Sequence, residues 1–321
     1  MTSSTLTIPD LPAIQAAASR IAPYIHLTPV LSSATFNAMT GASLYFKCEN
    51  LQKVGAFKAR GATNAVLQLS AEEAGKGVAT HSSGNHAQAL ALAARNRGIP
   101  AYIVMPSNSP AVKVNGVKDY GGEVIFCEPN LEARETTLQK VVADTGATFI
   151  HPYNDYRIIC GQGTAALEFL DEVPDLDILM APVGGGGLLS GTALTTHYLS
   201  PKTKVIAAEP EGAPDAHASF IQGQHIPVHQ PNTIADGLKT SLGPLNFDII
   251  QQHVADIVLV DDAAIIRAMK LIWERMKIVV EPSAAVPFAA ILENKVDVKG
   301  KKVGIIFSGG NVDLDQLPWN H

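Results

Sequence analysis

A single lysine and a distant run of glycines are the residues of this chain whose types and spacing could do chemistry. Lys58 follows Phe57 at the start of an apolar helical stretch, and residues 184–187 are four consecutive glycines between a strand-like run and a further helix. A lysine amine can form a Schiff base with an aldehyde, and backbone N–H groups at a helix N-terminus can bind a phosphate. Together the two features predict a phosphorylated aldehyde cofactor, for which pyridoxal phosphate is the obvious candidate.

Each of these features alone has an ordinary structural explanation. A lysine near a helix start is usually a solvated surface residue, and consecutive glycines can form a flexible loop. The order of strand, glycine turn and helix favours an anion site over such a loop. The glycines lack the Gly-x-Gly-x-x-Gly spacing of dinucleotide-binding proteins, which argues against a nicotinamide oxidoreductase.

Two further polar segments follow strand-like runs. The first is His81-Ser82-Ser83-Gly84-Asn85-His86, and the second is Ser308-Gly309-Gly310-Asn311. Ligands of parallel sheets bind outside the carboxyl ends of the strands, which is where both segments are expected to lie. A helix N-cap would explain the first segment equally well, and a tight turn would explain the second.

Composition limits the class of protein. The chain has 321 residues, of which 46% are hydrophobic and 17% charged, and its formal net charge is -6. This composition is typical of a soluble enzyme that is large enough for two lobes. Without a block of basic residues, binding to nucleic acid or to an anionic membrane is not expected.

The expected compartment is the cytoplasm. Residues 1–9 lack a basic segment followed by an apolar core, so no signal peptide is predicted, and no apolar run is long enough to span a bilayer. Cys48, Cys127 and Cys160 are widely spaced and lie near apolar runs. They are expected to be reduced thiols in or near the core of a cytosolic protein.

Strand-like and helical patterns alternate along the chain. The predicted strands cover residues 44–47, 78–81, 101–105, 124–127, 178–183, 205–208, 257–260 and 303–307. The predicted helical stretches include residues 87–97, 131–145, 164–172 and 263–276. This alternation predicts an α/β fold in which largely parallel sheets are flanked by helices.

With these segments in this order, the chain resembles the serine/threonine dehydratase group of fold type II pyridoxal phosphate enzymes, and within that group its racemases. The resemblance runs from Thr28 to Asp313 and rests on Gly55-Ala56-Phe57-Lys58, on the two polar segments and on the glycine run. It implies a tryptophan synthase β-like fold with a large cofactor-binding domain of residues 1–52 and 150–321. The small, mobile domain would comprise residues 53–149. The resemblance also implies a homodimer and suggests a nucleotide effector.

The resemblance assigns roles around the cofactor. Lys58 would carry the Schiff base, Phe57 would pack beside the ring, and Asn85 would bind the phenolic oxygen. The phosphate would be bound by Gly184, Gly185, Gly186 and Gly187, and Leu188 would be a further cofactor contact.

Two more residues would lie beside the cofactor. Ser308 would face the pyridine nitrogen, and a hydroxyl cannot hold that nitrogen firmly protonated as a carboxylate would. The ring would then withdraw electrons less strongly, which suits α,β-elimination and disfavours transamination. Glu281 matches a family position near the cofactor, and a surface helix cap is its alternative explanation.

Racemisation requires an acid or base on each face of the planar carbanion. Lys58 would occupy one face, and Ser83 matches the family residue on the other. The resemblance implies substrate contacts from Ser82, Ser83, Asn85, His86 and Arg134. For Arg134 an ordinary solvent-facing position is an equal alternative.

A cation site is implied by a separate acidic stretch. Glu209, the Ala213 carbonyl and Asp215 match the family's divalent-cation site, whose oxygen ligands suit Mg²⁺ or Ca²⁺. Taken without the resemblance, this stretch would be an acidic surface turn.

The predicted activity is interconversion of L- and D-serine together with α,β-elimination of serine to pyruvate and ammonia. A dedicated L-serine/L-threonine ammonia-lyase and a 3-hydroxyaspartate dehydratase are alternatives that would use the same residues. Only the pocket for the substrate side chain separates them, and one sequence does not locate it. A non-catalytic pyridoxal-phosphate-binding protein is a more distant alternative, against which intact Lys58 and Ser83 argue.

Overall fold

The computed structural model describes residues 8–227 and 230–319, apart from the side chain of Val112. Residues 1–7 of the N-terminal stretch considered above lie outside the described residues. The strands are β1 (Val30–Ser32), β2 (Ser43–Cys48), β3 (Val78–His81), β4 (Ala101–Pro106), β5 (Glu123–Cys127), β6 (Thr148–Phe149), β7 (Ile178–Pro182), β8 (Lys204–Pro210), β9 (Asp256–Val260) and β10 (Lys302–Phe307).

Helices separate most of these strands. They are α1 (Leu11–Ile21), α2 (Ala34–Thr40), α3 (Lys58–Leu67), α4 (Ala71–Lys76), α5 (Asn85–Arg97), α6 (Ala111–Asp119), α7 (Leu131–Thr145), α8 (Tyr156–Glu172), α9 (Gly187–Leu199), α10 (Asp215–Gln222), α11 (Pro244–His253), α12 (Asp262–Met276) and α13 (Pro282–Leu292). Among the described residues, no helix is long and apolar enough to cross a membrane.

The strands form two sheets. The larger has the order β1-β2-β10-β7-β8-β9, in which only the edge strand β1 is antiparallel to its neighbour. The smaller has the order β5-β4-β3-β6 and is parallel throughout. This arrangement confirms the predicted α/β fold with two largely parallel sheets.

The last strand among the described residues lies in the middle of the larger sheet. β10 pairs with β2 from Lys302 opposite Ser43 to Phe307 opposite Cys48, and its other edge pairs with β7. The residues that follow β2 and β10 therefore leave the sheet side by side. This pairing brings two segments together that are some 250 positions apart in the sequence.

Aromatic and aliphatic side chains fill separate cores beside the two sheets. In the larger, the ring centroids of Phe46 and Phe307 lie 4.7 Å apart and the rings are stacked. In the smaller, Leu90 of α5 and Ile103 of β4 are fully buried. Burying such a side chain contributes roughly 1.5–3 kcal/mol, so both sheets are firmly packed.

A buried ion network holds α3 in place. Arg60 is fully buried and contacts Glu49 at 2.7 Å and Glu168 at 2.7 Å. Burial alone would raise the pKa of Glu49, but the neighbouring Arg60 guanidinium holds that pKa below its usual value. Since removing one partner of a buried pair leaves an uncompensated charge, this network fixes the helix that begins at Lys58.

Glycines allow α3 to lie unusually close to α8. A Cβ on Gly161 would lie 2.6 Å from the Cα of Gly61, and a Cβ on Gly61 would lie 2.4 Å from Nε2 of Gln162. Any larger residue at these two positions would push the helices apart. The close packing and the ion network together define where the α3 N-terminus lies.

Candidate active site

Lys58 is the first residue of α3, and its side chain is half-buried. Its Nζ donates a hydrogen bond to the carbonyl of Pro152 at 2.9 Å and lies 5.1 Å from the centroid of the Phe57 ring. Burial lowers the pKa of Lys58 to about 8, and the negative charge of Glu281 opposes that shift. The freely solvated lysine considered above is therefore excluded, and the amine is easier to deprotonate than an ordinary lysine.

The segment after β10 lies against the segment that leads into α3. The Phe57 N–H donates to the Ser308 carbonyl at 3.0 Å, and the Gly310 N–H donates to the Gly55 carbonyl at 2.9 Å. Ser308 is buried. The structure thus brings the predicted ring-facing serine beside the predicted Schiff-base lysine.

The glycine loop joins β7 to α9 as the sequence predicts. Gly186 has a φ of 92°, a left-handed conformation that glycine adopts without strain, and it occupies the N-cap position of α9. No side chain caps the N-terminus of this helix. Its first N–H groups, from Gly187 and Leu188 onward, are therefore available to an anion.

The segment after β6 links the lysine to the glycine loop. Pro152 accepts the Lys58 hydrogen bond, and the adjacent Tyr153 packs on the loop. A Cβ on Gly185 would lie 2.3 Å from the Tyr153 ring, and a Cβ on Gly184 would lie 2.8 Å from the Cα of Leu238. The glycine loop is therefore closely packed. The Lys58 amine and the loop that begins α9 both contact the short segment of Pro152 and Tyr153.

Asn85, Glu281 and Asn311 form a hydrogen-bonded group. Asn85 Nδ2 donates to both carboxylate oxygens of Glu281, at 3.0 and 3.1 Å, and Asn311 Nδ2 donates to Asn85 Oδ1 at 2.9 Å. Asn311 Nδ2 also donates to the Val54 carbonyl at 2.7 Å, close to the Lys58 segment.

Burial raises the pKa of Glu281 to about 7, and the charge of Asp236 adds to this effect. Glu281 occupies the N-cap position of α13 but is buried and makes no capping hydrogen bond, so the surface-cap alternative is wrong.

The serine segment lies between β3 and α5. Ser82 and Ser83 are half-buried, and Ser82 Oγ accepts from the Gly84 N–H at 3.3 Å. The N-cap of α5 is Gly84, without a side-chain cap, so the serines are not the N-caps that the sequence allowed. Among the described residues Ser83 makes no hydrogen bond to Lys58, and its catalytic role stays a prediction.

Two predicted substrate contacts carry unpartnered nitrogens. His86 is buried with Nε2 3.2 Å from the Ile150 carbonyl, while Nδ1 has no partner among the described residues. Burial and the nearby Lys58 charge hold the pKa of His86 well below its usual value. The Nε of Arg134 is likewise buried and unpartnered within the described part of the chain, and its charge helps burial to lower the pKa of His81. Arg134 is therefore partly buried rather than fully solvent-facing.

The predicted cation ligands are buried. Glu209 accepts from the N–H groups of Ala216 and His217 at 2.9 and 2.8 Å, and Asp215 Oδ2 accepts from the Leu242 N–H at 2.6 Å. Burial raises the pKa of Glu209 to about 9 and that of Asp215 to about 6. An exposed acidic turn is thus excluded.

This acidic pair is connected to the glycine loop. Leu242 donates to Asp215, and the next residue, Gly243, donates its N–H to the Gly185 carbonyl at 3.1 Å. Asp215 Oδ1 is buried without a partner among the described residues, which suits a cation. Ala213 is buried as well. No group of three or more His, Cys, Asp or Glu side chains gathers within the described residues, so a cation here would need the carbonyl and water as further ligands.

Sequence reasoning missed residues that act through backbone atoms or lie far along the chain. Pro152 binds Lys58 through its carbonyl, for which a sequence carries no signal. The sequence predicts Asn311 only as part of the polar segment after the last strand, without a role of its own, although its amide joins Asn85 to the Lys58 segment. The run His151-Pro152-Tyr153-Asn154 after β6 could have been flagged, because polar residues at a strand end often line a site.

The residues present fit pyridoxal phosphate. Lys58 offers an amine of lowered pKa for an aldehyde, and the uncapped N-terminus of α9 offers N–H groups for a phosphate. Ser308 and Asn85 lie on the segments that contact the Lys58 region. The arrangement can therefore hold a phosphorylated aldehyde and present it to an amino acid.

Comparison with known proteins agrees with this assignment. A family model described as "Pyridoxal-phosphate dependent enzyme" matches residues 21–309. The chain is 53% identical to the β-hydroxyaspartate dehydratase of Paracoccus denitrificans, over 98% of this chain and 99% of that protein. It is 51% identical to the serine racemase of Arabidopsis thaliana, over 96% of this chain and 95% of that protein. The structure of maize serine racemase matches with a TM-score of 0.94 and 48% identity, covering 96% of this chain and 95% of that one.

Proposed function

Because the chain belongs to the family of pyridoxal-phosphate dependent enzymes, we propose that it is a serine racemase that also eliminates serine to pyruvate and ammonia. The activity combines an isomerase and a lyase reaction at one site. The observation that carries the proposal is the position of Lys58, whose amine binds the Pro152 carbonyl while the adjacent Tyr153 packs on the glycine loop.

The cofactor, when bound, withdraws electrons from the α-carbon of the amino acid and so makes its proton removable. Lys58 holds the cofactor and takes or returns the α-proton on one face. Gly184 to Gly187 and Leu188 bind the phosphate, and Phe57 packs beside the ring. Asn85 binds the phenolic oxygen. The hydrogen-bonded group of Asn85, Glu281 and Asn311 keeps that amide oriented.

Ser308 determines how strongly the ring withdraws electrons. Its hydroxyl does not hold the pyridine nitrogen in a charged form, as a carboxylate would. A ring that withdraws electrons less strongly would suit elimination and racemisation and would disfavour transamination. The burial of Ser308 and its backbone contact to Phe57 support this role.

Ser83 is the second acid/base, on the face opposite Lys58. Ser82, Asn85, His86 and Arg134 bind the substrate. The unpartnered buried nitrogens of His86 and Arg134 support this assignment, because buried polar atoms without a protein partner are uncommon and a ligand can satisfy them.

A divalent cation, Mg²⁺ or Ca²⁺, binds Glu209, the Ala213 carbonyl and Asp215. The support is the pair of buried carboxylates, one of which has an unpartnered oxygen. Its role is structural, since the acidic pair contacts the glycine loop through Leu242 and Gly243.

Further parts of the proposal rest on the family resemblance. The enzyme is a cytoplasmic homodimer, and a nucleotide modulates it. The small domain of residues 53–149 moves against the large domain of residues 1–52 and 150–321. The three buried, unpaired cysteines support a reducing compartment. Light scattering checks the dimer, and a titration of activity with ATP checks the effector.

Product analysis tests the main proposal. The purified enzyme is incubated with pyridoxal phosphate and L-serine, and D-serine and pyruvate are measured together. Both products are expected. Pyruvate without D-serine would contradict the racemase and leave an ammonia-lyase.

A second candidate is a 3-hydroxyaspartate dehydratase, favoured by the 53% identity to the Paracoccus denitrificans enzyme. The same residues would act on that substrate, which carries a second carboxylate. Comparing kcat/KM for L-serine and for the 3-hydroxyaspartate stereoisomers distinguishes the two functions. A ratio far in favour of hydroxyaspartate, with negligible D-serine, would establish the second candidate.

A further inference from the structure

His151 lies at the lysine end of the site but has no role in the function proposed above. It precedes Pro152, whose carbonyl accepts the hydrogen bond from Lys58 Nζ at 2.9 Å. The side chain is half-buried. The imidazole thus belongs to the wall of the site next to the reactive amine.

The hydrogen bonds of His151 fix its tautomer. Nδ1 accepts from the N–H groups of Tyr153 at 3.3 Å and Asn154 at 3.0 Å. A nitrogen that accepts two N–H groups carries no proton of its own. In the neutral ring the proton must therefore be on Nε2, which is a donor.

The ring is also held neutral. Burial, His81 and Lys58 lower the pKa of His151 to about 4, and Asp155 opposes them. The titratable groups that face the imidazole are His81 of β3, Lys58 of α3, His86 of α5, Tyr153, and Asp155 at the start of α8. Protonation of Nδ1 would also set its N–H against the N–H groups of Tyr153 and Asn154, which is unfavourable. At neutral pH the imidazole is therefore a donor without charge.

Packing fixes the direction of this donor. The imidazole contacts two rings, that of Phe149 at a centroid distance of 5.5 Å and that of Tyr153 at 4.6 Å with the planes 82° apart. Within the described part of the chain, Nε2 has no hydrogen-bond acceptor. A rigid, oriented donor without an acceptor in the wall of a site is what a polar ligand would satisfy.

We propose that Nε2–H of His151 donates a hydrogen bond to an oxygen of the amino-acid substrate held at Lys58. This inference rests on the proposed function. The acceptor is a carboxylate or hydroxyl oxygen of the substrate, and a neutral donor suits both. A charged imidazolium at this place would instead raise the cost of protonating Lys58.

Two variants separate the donor from the nitrogen that accepts the backbone bonds. In His151→Asn the amide oxygen can replace Nδ1 as acceptor of the Tyr153 and Asn154 N–H groups, but no donor reaches the Nε2 position. In His151→Gln the longer amide can supply a donor near the Nε2 position, while the acceptor is lost. Each holoenzyme is titrated with L-serine by the change in visible absorption, and its melting temperature and cofactor retention are measured.

His151→Asn is expected to melt close to the parent temperature and to bind L-serine about ten-fold or more weakly. His151→Gln is expected to melt lower and to bind L-serine within about three-fold of the parent. The dependence of the turnover rate on pH should have the same shape in His151→Asn as in the parent, because His151 does not titrate near neutrality. A titration with L-alanine identifies the acceptor: equal weakening indicates the carboxylate, and unchanged binding indicates the β-hydroxyl.

Parent-like serine binding by His151→Asn would overturn the inference and leave His151 as a turn-stabilising residue. Loss of cofactor retention with unchanged serine binding would overturn it too, in favour of a cofactor contact. Turnover of L-serine by the parent enzyme tests the proposed function separately. Should the parent convert hydroxyaspartate instead, the same two variants are compared with that substrate, so the donor is tested in either case.

Discussion

Asn85 donates its side-chain amide to both carboxylate oxygens of Glu281, which lies 196 positions further along the chain. The contact joins the start of α5 to the start of α13, one beside each sheet. Because Asn311 donates to the other end of the same amide, the orientation of Asn85 is determined by protein contacts alone. A buried carboxylate with a raised pKa at this point makes the site sensitive to pH.

Glu281→Gln should flatten the dependence of stability on pH. The pKa of Glu281 is raised to about 7 in the folded state from 4.5, so between these values the folded state binds more protons than the unfolded state. Stability contributed by Glu281 therefore falls as pH rises through this window, by about 3 kcal/mol at most. Denaturant unfolding of the holoenzyme at pH 5 and pH 8 measures this change in the free energy of unfolding. The exposed Glu274→Gln is the control and should keep the parent dependence of unfolding free energy on pH. If Glu281→Gln also kept that dependence, the Glu281 carboxylate would be solvated and its raised pKa contradicted.

Cofactor loading should follow the titration of Lys58. Attachment to an aldehyde requires the unprotonated amine, and the pKa of Lys58 is lowered to about 8. The rate of reconstitution of apoenzyme should rise about ten-fold per pH unit below 8 and level off above it. The growth of the visible absorption band measures this rate. Lys58→Ala should gain no dialysis-resistant band and no turnover, whereas the exposed Lys140→Ala should behave as the parent. A rate still rising at pH 10 would contradict the lowered pKa.

Gly185→Ala should weaken cofactor binding and stability together. Its Cβ would lie 2.3 Å from the Tyr153 ring, and neither the loop nor the packed ring can move without loss of contacts. Overpacking of this kind typically costs about 1–3 kcal/mol. Thermal unfolding and equilibrium dialysis of the cofactor give the two quantities. Gly75→Ala, where a Cβ meets nothing within 4 Å, is the matched control and should be neutral or stabilising.

Ser83→Ala should separate the two activities. Inversion requires a proton on the face opposite Lys58, whereas elimination from L-serine requires only removal of the α-proton and loss of the β-hydroxyl. Racemisation in both directions should fall about 10²–10⁴-fold while L-serine elimination persists at least in part. D-Serine elimination should fall, since that enantiomer presents its proton to Ser83. Chiral chromatography and a pyruvate assay measure both, with the exposed Ser19→Ala as control. Parent-like racemisation in Ser83→Ala would show that Ser83 is not the second base.

Chelation should destabilise the enzyme through Asp215 and Glu209. The two carboxylates are buried, and Asp215 Oδ1 has no partner among the described residues. Removing a cation should lower the melting temperature and the activity, with recovery on adding Mg²⁺ or Ca²⁺. Asp215→Asn should abolish the response to chelator, whereas Asp144→Asn on the exposed face of α7 should retain it. A parent enzyme that is indifferent to thorough chelation would remove the cation from the proposal.

Much of the fold could be predicted because hydrophobic runs reveal buried parallel strands. All eight predicted strands are present within a residue or two at each end, and α7 has the predicted bounds. The missed strands, β1 and β6, have three and two residues, too few for a pattern to emerge. Their pairing is decided by neighbouring strands rather than by their own residues.

The candidate site was predictable where function depends on residue type, as for Lys58 and the glycine loop. It was not predictable where contacts depend on topology. The burial of Glu281 and the link from Asn311 to Asn85 arise only because β10 lies beside β2. The tautomer of His151 depends on two backbone N–H groups whose directions no sequence pattern reveals.

The central position of β10 has a consequence for biosynthesis. The site needs the Lys58 segment from the first fifth of the chain and the Ser308 segment from its end, and the hydrogen bond between Phe57 and Ser308 closes that distance. During translation β2 and β7 emerge long before the strand that separates them. The larger sheet of the nascent protein therefore lacks its middle strand until β10 has left the ribosome. Capture of the cofactor thus cannot precede the synthesis of β10, and a chain truncated before β10 would be both unable to load the cofactor and prone to aggregate.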